Sequence, residues 1–525
     1  MASQPPTHAK ILVMGGGPAG SYAASCLQRE GHEVVLFEAV KFPRYHVGES
    51  MIASMRGYLR FIGLAEDMAN HGFLNKPGAS FKLVHGLPDT YTSFIGLGPD
   101  FVSWNVIRSE MDELFLNHAE KQGVKVFQET RVDSIDFEGD PATSRPKAAH
   151  WKRKDGTTGK TEFDWLIDAT GKAGIMSTKY LKNRLMRECL RNVAVWGYWT
   201  GVKRYAEGTI KANSGWFEAL TDQTGWVWVI PLHDGTTSIG FVMHQDASNA
   251  KKATPMANGK TPTLTEHYLD QLQFVPGVRE LIGEKGALIP GSVKSAGDFS
   301  YSASKYSGDH FRLIGDAANF VDPFFSSGVH IALTGGLTAA LTICSSMKGE
   351  VDETTAQQWH DSKVGLAHTR FLFVVLGAYQ QMHLQQFPVL GDVNAKDFDE
   401  AFSMFRPVIF GMSDSKTTLT DDRVQEMTNK FQSWFDPYVD EQSVMAVRER
   451  YGAEYVHVEA PVLGEDKIKS LVKEDAEAER VLKKVDVLKA LADEVDVTGA
   501  MDRHPLLGYT ANIKQGSLGL RKFVE

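Results

Sequence analysis

The chain has 525 residues, a formal charge of −9 and 42% hydrophobic side chains, so it is too long for one compact core and lacks the basic surplus of a nucleic-acid binder or a polybasic membrane patch. Its three cysteines, Cys26, Cys189 and Cys344, are far apart and form no C-x-x-C pair, which argues against a disulfide framework or a zinc site. The polar, proline-containing residues 1–9 resemble neither a signal nor a transit peptide, and a soluble cytoplasmic protein is expected.

Residues 11–14, Ile-Leu-Val-Met, read as a buried parallel strand. A turn follows with Gly15, Gly17 and Gly20 at G-x-G-x-x-G spacing, and then a helix over 21–27. Gly15 permits the tight turn, Gly17 lets backbone approach a pyrophosphate, and Gly20 lets the helix pack closely on the strand. The amides and dipole of that helix would face the phosphates. A second strand over 33–37 ends at Glu38, where a carboxylate can accept from a ribose hydroxyl.

Residues 41–50 form a loop around Pro43 and Gly48 that brings cations, an acid and a hydroxyl to a polar ligand or to solvent. A helix is expected over 55–64, closing near Gly63. Residues 72–79 read as a loop, in which Lys76 before Pro77 is, taken alone, a solvated charge. Residues 104–108 read as a strand, 109–121 as a helix capped by Ser109 with Asp112 at the third position, and 123–127 as a strand. Residues 141–160 form an excursion loop or hairpin, and 163–168 a buried strand running to Gly171.

Three aromatic, β-branched runs at 193–199, 225–231 and 237–242 predict an antiparallel sheet in a second layer. Residues 251–262 read as a linker. Residues 311–316 return to the first domain as a strand running into an acid, followed by a turn and a buried helix from Val329. Helical patterns cover 354–382, 398–405, 421–435 and 471–493, ahead of an irregular tail from 501.

The predicted organisation is α/β. A discontinuous Rossmann-type domain spans 1–175 and 295–350, and an antiparallel substrate-side sheet spans 176–294. A mostly helical region over 351–525 covers the substrate pocket. The 17 histidines show no H-x-x-x-H or H-E-x-x-H pair, so no metal is expected.

Three separated motifs coincide: the Gly15, Gly17, Gly20 turn with Glu38, Asp168-Ala-Thr-Gly171, and Gly315-Asp316. Together they resemble the FAD-dependent monooxygenase superfamily, with its aromatic hydroxylase type of fold. The resemblance implies FAD held along Gly15, Gly17, Ala19, Gly20 and Glu38. It also implies Asp316 on the ribityl chain, and Arg44, Ser50 and Arg108 lining the cofactor.

A narrower likeness covers nearly the whole chain. Trp226-x-Trp228-x-Ile230-Pro231 is similar to the W-x-W-x-I-P signature of flavin-dependent halogenases. Lys76, in Asn-Lys-Pro-Gly-Ala, falls where those enzymes carry their catalytic lysine. Asp322-Pro-Phe-Phe-Ser-Ser-Gly328 resembles their halide loop, which implies Ser327 and Gly328 as halide contacts. Ser103-Trp-Asn-Val-Ile-Arg108 and Thr510-Ala-Asn-Ile-Lys-Gln-Gly-Ser-Leu-Gly519 look like the fungal branch, which acts on phenolic polyketides. Phe325 stands where tryptophan halogenases carry a glutamate. That departure favours a phenol, whose own oxygen activates the ring.

The resemblance implies that reduced FAD, supplied by a separate reductase, and O2 oxidise chloride or bromide to hypohalous acid. Lys76 holds that oxidant as a hydrogen-bonding ammonium or, with its pKa lowered by desolvation, captures it as an amine. Trp226, Trp228 and Pro231 keep the substrate away from the flavin. Plainer readings stay open at this stage. The tryptophans, two apart, also suit a core stripe, and Ser327 also suits an ordinary N-cap. The rival functions are an aromatic hydroxylase, which has no use for a remote lysine, and a non-catalytic carrier on a related fold.

Overall fold

Ile11, Leu12, Val13 and Met14 are all fully buried, so this segment has no polar face and belongs inside a sheet covered on both sides. The computed structural model describes residues 4–86, 89–95, 102–254, 259–383, 441–456, 463, 465–473, 475–495, 501–502 and 505–523. Strand β1 (His8–Met14), helix α1 (Pro18–Arg29) and strand β2 (Val34–Phe37) form a parallel crossover unit, with Met14 opposite Phe37. Gly15 turns at φ 103°, and a Cβ there would lie 2.2 Å from the Ala169 carbonyl oxygen. A Cβ on Gly20 would lie 2.0 Å from the Gly15 oxygen, so only glycine lets α1 sit this close to the end of β1.

Helices α2 (Met55–Ile62) and α3 (Ala65–Asn70) follow, α2 closing at Gly63 as expected. The 72–79 segment expected to be a loop contains the strand β3 (Leu74–Lys76) and the start of β4 (Gly78–Lys82), which runs on into the apolar-polar pattern over 80–84. Strands β5 (Thr90–Ser93) and β6 (Ser103–Asn105) come next. Lys76 is therefore a strand residue, paired opposite Ser103, and not a loop residue. Helix α4 (Arg108–Lys121) has Ile107 at its N-cap and no side-chain cap. Asp112, expected beside a Ser109 cap, instead accepts from Arg108 one turn back. Strand β7 (Lys125–Phe127) and a meander of β8 (Thr130–Phe137), β9 (Pro146–Arg153) and β10 (Thr158–Asp168) complete the first part, so the excursion over 141–160 is a hairpin.

Strands β11 (Arg184–Thr200), β12 (Gly215–Ala219), β13 (Gly225–Pro231) and β14 (Thr237–His244) carry the aromatic runs. Helices α5 (Gln245–Ala253), α6 (Leu264–Asp270) and α7 (Pro276–Ile282) follow, and α5 takes in the start of the expected linker. Then come β15 (Ala287–Leu288), β16 (Lys294–Ala303), β17 (Ser307–Gly308), β18 (Phe311–Leu313) and β19 (Asn319–Phe320), ahead of helices α8 (Gly328–Lys348) and α9 (Glu353–His383).

Two sheets organise these elements. The first has the order β17-β18-β10-β1-β2-β7, with β1 parallel to both β2 and β10. The second has the order β19-β16-β11-β14-β13-β12-β4-β5 and is antiparallel except for the β12–β4 pair. It is not drawn from 176–294 alone: β4 and β5 come from upstream, and β16 and β19 mostly from downstream. Every residue of β13 is buried. Its alternation splits two cores, as the strand period requires. Trp226, Trp228 and Ile230 face Phe324 and the α9 residues Leu372 and Val375, while Val227 and Val229 face Tyr268 and Val278 of α6 and α7.

Among the described residues, only α8 is long and apolar enough to cross a membrane, and 94% of its apolar window is buried inside the protein. The helices expected over 398–405 and 421–435 lie outside the described residues. The pattern expected over 471–493 forms parts of two helices, Glu465–Val472 and Ala476–Val495. The tail is not irregular throughout. Tyr509–Asn512 and Gly519–Lys522 form a hairpin that buries Ala511, Leu518 and Leu520. Glu30, the C-cap of α1, accepts from its Gly516 and Leu518 amides at 2.8 and 2.9 Å.

Candidate active site

The glycine turn opens onto cations. A Cβ added at Gly17 would meet only Arg44 Nη2, at 3.3 Å, so the space beside the α1 N-terminus faces a guanidinium. Arg44 Nη1 donates to Asp112 Oδ2 at 3.1 Å, and Arg108 Nε donates to Asp112 Oδ1 at 2.8 Å. One fully buried carboxylate thus serves two guanidiniums, leaving one positive charge next to a helix N-terminus. Burial works against the Arg108 charge, but the carboxylates around it, Asp112 foremost, raise its pKa above the ordinary arginine value. The Arg108 charge, then burial, pushes His46 down to about 4.

Glu38 accepts from the Gly16 amide at 2.6 Å and from the Val40 amide at 2.9 Å, which fixes it at the end of β2. Asp316 follows β18. Burial raises its pKa, while Lys172, Arg108, Arg184 and Arg44 pull the other way. Gly315 meets Ala19, whose Cβ would lie 2.8 Å from a Cβ built on that glycine. Gly15, Gly17, Ala19, Gly20, Glu38, Arg44, Arg108 and Asp316 therefore gather where the two chain segments of the first sheet join. An anionic dinucleotide fits this donor set.

Lys76 is only 1% exposed. Its Nζ donates to Ser50 Oγ at 2.7 Å and to the Met51 carbonyl at 3.0 Å, and it lies 5.0 Å from the Phe94 ring centroid. Among the described residues no carboxylate pairs with it. Desolvation without a compensating charge lowers its pKa to about 7. The solvated-charge reading is thereby overturned. Ser50 contacts Lys76, in addition to any part it takes at the cofactor.

Trp226 and Trp228 lie on one face of β13, with ring centroids 5.9 Å apart. Trp226 meets Phe324 of the 322–328 turn edge-on at 5.0 Å. The indole N–H of Trp226 donates to Tyr379 Oη at 2.8 Å, and Tyr379 donates to Asp322 Oδ2 at 2.8 Å. Asn192 also donates to Asp322 Oδ2, at 2.8 Å, and burial raises the Asp322 pKa to about 6. Pro231 closes β13 opposite Thr237. Ser327 makes no side-chain cap, contrary to the N-cap reading. Its hydroxyl is buried without a partner, and nothing lies within 4 Å of a Cβ built at Gly328. The start of the 21-residue helix α8 thus presents a donor and open space together.

Sequence reasoning missed Tyr379, Asn192, Tyr45 and Tyr198, and read Glu49 only as the acid of the 41–50 loop. Tyr198 Oη donates to Glu49 Oε1 at 2.6 Å and lies 3.0 Å from Tyr45 Oη, which accepts from Trp196 at 2.7 Å. Burial raises the Glu49 pKa. No local motif marks these residues, because each partner is far away in the chain. The aromatic β11 run was the one available signal, and it reads equally as core.

A Rossmann-type glycine turn joined to an antiparallel sheet that bears a buried lysine and a tryptophan pair defines a two-part flavoprotein, one part for a dinucleotide and one for a second ligand. The chain belongs to the tryptophan halogenase family, whose profile matches residues 10–106 and 96–400, and it is a flavin-dependent halogenase. It is 52% identical over 522 residues to flavin-dependent halogenase armH5 of Armillaria mellea, covering 98% of each chain. It is 50% identical over 425 residues to the sulochrin halogenase gedL of Aspergillus terreus, covering 78% of this chain and 76% of that one. The solved myxobacterial chondrochloren halogenase CndH, an FAD-dependent halogenase, superposes with a TM-score of 0.65 at 25% identity, covering 82% of this chain and 98% of that one.

Proposed function

We propose that the protein transfers chlorine or bromine to an electron-rich phenolic ring of the polyketide type, with Lys76 as the catalytic residue. One observation carries the reading: Lys76 is a buried cation with only neutral partners, held near its titration point. The sulochrin halogenase among its relatives supports the substrate class, as does Phe325 where an acid would suit tryptophan.

Gly15, Gly17, Ala19, Gly20, Glu38, Arg44, Ser50, Arg108 and Asp316 would hold FAD. When bound and reduced by a separate, transiently docked reductase, FAD supplies with O2 the oxidising equivalents that convert halide to hypohalous acid. Ser327 Oγ and the Gly328 amide hold the halide at the start of α8. Trp226, anchored through Tyr379, and Trp228, anchored through Ser238, bar the phenol from the cofactor. Lys76 then binds the oxygen of hypohalous acid and polarises the oxygen–halogen bond. The ring carbon takes the halogen as that bond breaks, the oxygen leaves as water, and the ring proton is lost. A fixed donor gives the oxidant a position that it lacks when free.

The test is Lys76→Ala, assayed with a flavin reductase, FAD, NADH, halide and a panel of resorcinol-type polyketides by mass spectrometry. FAD binding and O2 consumption persist, while halogenated product falls by about 10²–10³-fold or more. Regioselective halogenation near the wild-type rate overturns the assignment.

A further inference from the structure

Three segments that feed the site also meet at its outer edge. His71 follows α3 and leads into β3 and Lys76. Glu110 lies in the first turn of α4, just past Arg108. His233 lies in the turn between β13 and β14, just past Pro231. Their side chains converge. His71 Nε2 is 2.7 Å and His233 Nε2 is 3.2 Å from the same Glu110 oxygen, Oε2. One ligand atom from each lies within 4.8 Å of the other two. Phe73 packs on both imidazoles, at 4.2 Å from His71 and 5.4 Å from His233. Among the described residues no lysine or arginine pairs with Glu110. The three side chains are 27%, 36% and 22% exposed, so an ion reaches them from solvent.

We propose that His71, Glu110 and His233 bind one zinc-like divalent ion as a structural staple beside the active site. Two imidazoles and one carboxylate suit zinc and its transition-metal neighbours, whereas magnesium and calcium prefer oxygen ligands alone. Zinc bonds of about 2.0–2.2 Å in a tetrahedron place ligand atoms ~3.3 Å apart. The His233–Glu110 spacing already meets this, and the His71 side opens by about half an ångström. Water takes the fourth position. Binding replaces the two hydrogen bonds that converge on Glu110 Oε2 with one cation. The ion takes no part in halogen transfer. It ties the approach to Lys76, the start of α4 and the tryptophan strand to one point. The ligands lie 39 and 123 residues apart, which is why the search for short histidine spacings gave no metal expectation.

The experiment uses the full-length protein after treatment with a chelator. Zn2+ alone is titrated by calorimetry and in thermal melts, with Mg2+ as control. One equivalent of Zn2+ binds and raises Tm, and Mg2+ does neither. His71→Ala and His233→Ala each weaken Zn2+ binding about tenfold or more while FAD binding stays unchanged. Co2+ gives a second readout that needs no variant. One equivalent produces visible ligand-field absorption that Zn2+ bleaches. Substoichiometric Zn2+ binding, absent Co2+ bands, or full affinity in both histidine variants would mean a plain hydrogen-bonded cluster and would overturn the proposal.

Discussion

The loop over 47–51 touches two buried cationic centres that are built in opposite ways. Its Val47 carbonyl accepts from Arg108 at 3.0 Å, and its Ser50 hydroxyl accepts from Lys76. Arg108 and Arg44 share the Asp112 carboxylate, so desolvation is outweighed and the charge on Arg108 is permanent. Lys76 has only a hydroxyl, a carbonyl and an aromatic face, so desolvation wins and its charge becomes negotiable near neutral pH. Depth of burial does not separate the two centres. The ionisation of the partner does. On the proposed function, the permanent charge would hold a polyphosphate and the titratable one would handle a reactive oxidant.

Replacing the shared carboxylate breaks the contrast most severely. Asp112→Asn leaves two guanidiniums facing a neutral amide in a buried site, and should cost about 3 kcal/mol or more in a urea unfolding titration. FAD affinity should fall with it. Stability within 1 kcal/mol of wild type, on the order of ordinary surface changes, would show that the pair is not held by charge.

Lys76→Met should act with the opposite sign. The Lys76 pKa falls from 10.5 to about 7 on folding, so the native state loses its proton first. Between those values the unfolded chain binds the proton that the native chain lacks, and stability rises with pH across that window. At pH 6 the full cost of the buried charge is present. Methionine removes it and should stabilise the protein by about 3 kcal/mol after loss of two hydrogen bonds, the gain fading towards pH 10. Halogenation is lost in the same variant. In the wild type, the pH profile of halogenation should inflect near 7. A rise through that point marks an amine nucleophile, and a fall marks an ammonium donor.

The smallest expected effect tests the proposed wall between the two regions. Tyr379→Phe removes the hydroxyl that links Trp226, Asn192 and Asp322, and should cost about 1–2 kcal/mol. Peroxide release per halogenation should rise as the indole loosens. Unchanged coupling would mean that packing against Phe324 alone fixes Trp226.

The first sheet was legible because its constraints are local. The glycine spacing, the apolar run before it and the acid after β2 lie within one short stretch, and each has a steric or electrostatic reason. The antiparallel runs were legible through their aromatic and β-branched composition. What escaped depended on distant partners. Asp112 reads as a capping residue in sequence, yet its partners are Arg44 and Arg108. Lys76 reads as solvated until pairing with Ser103 on β6 sets it against the Ser50 hydroxyl and the Met51 carbonyl. Tyr379 sits in a long helix whose polar residues carry no sign of which one points inward. The upstream strands β4 and β5 were missed as sheet members because β4 pairs with β12, more than a hundred residues later, and β5 joins the sheet only through β4.

That last pairing has a consequence for biogenesis. On the ribosome, β4 leaves the exit tunnel long before β12 exists to receive it, and β10 waits for β18 in the same way. Neither sheet can close vectorially. Nascent chains therefore expose unpaired edges and aromatic side chains through most of translation, and such intermediates invite aggregation. Soluble yield in a foreign host should depend on chaperone supply and slow synthesis more than on the stability of the finished fold.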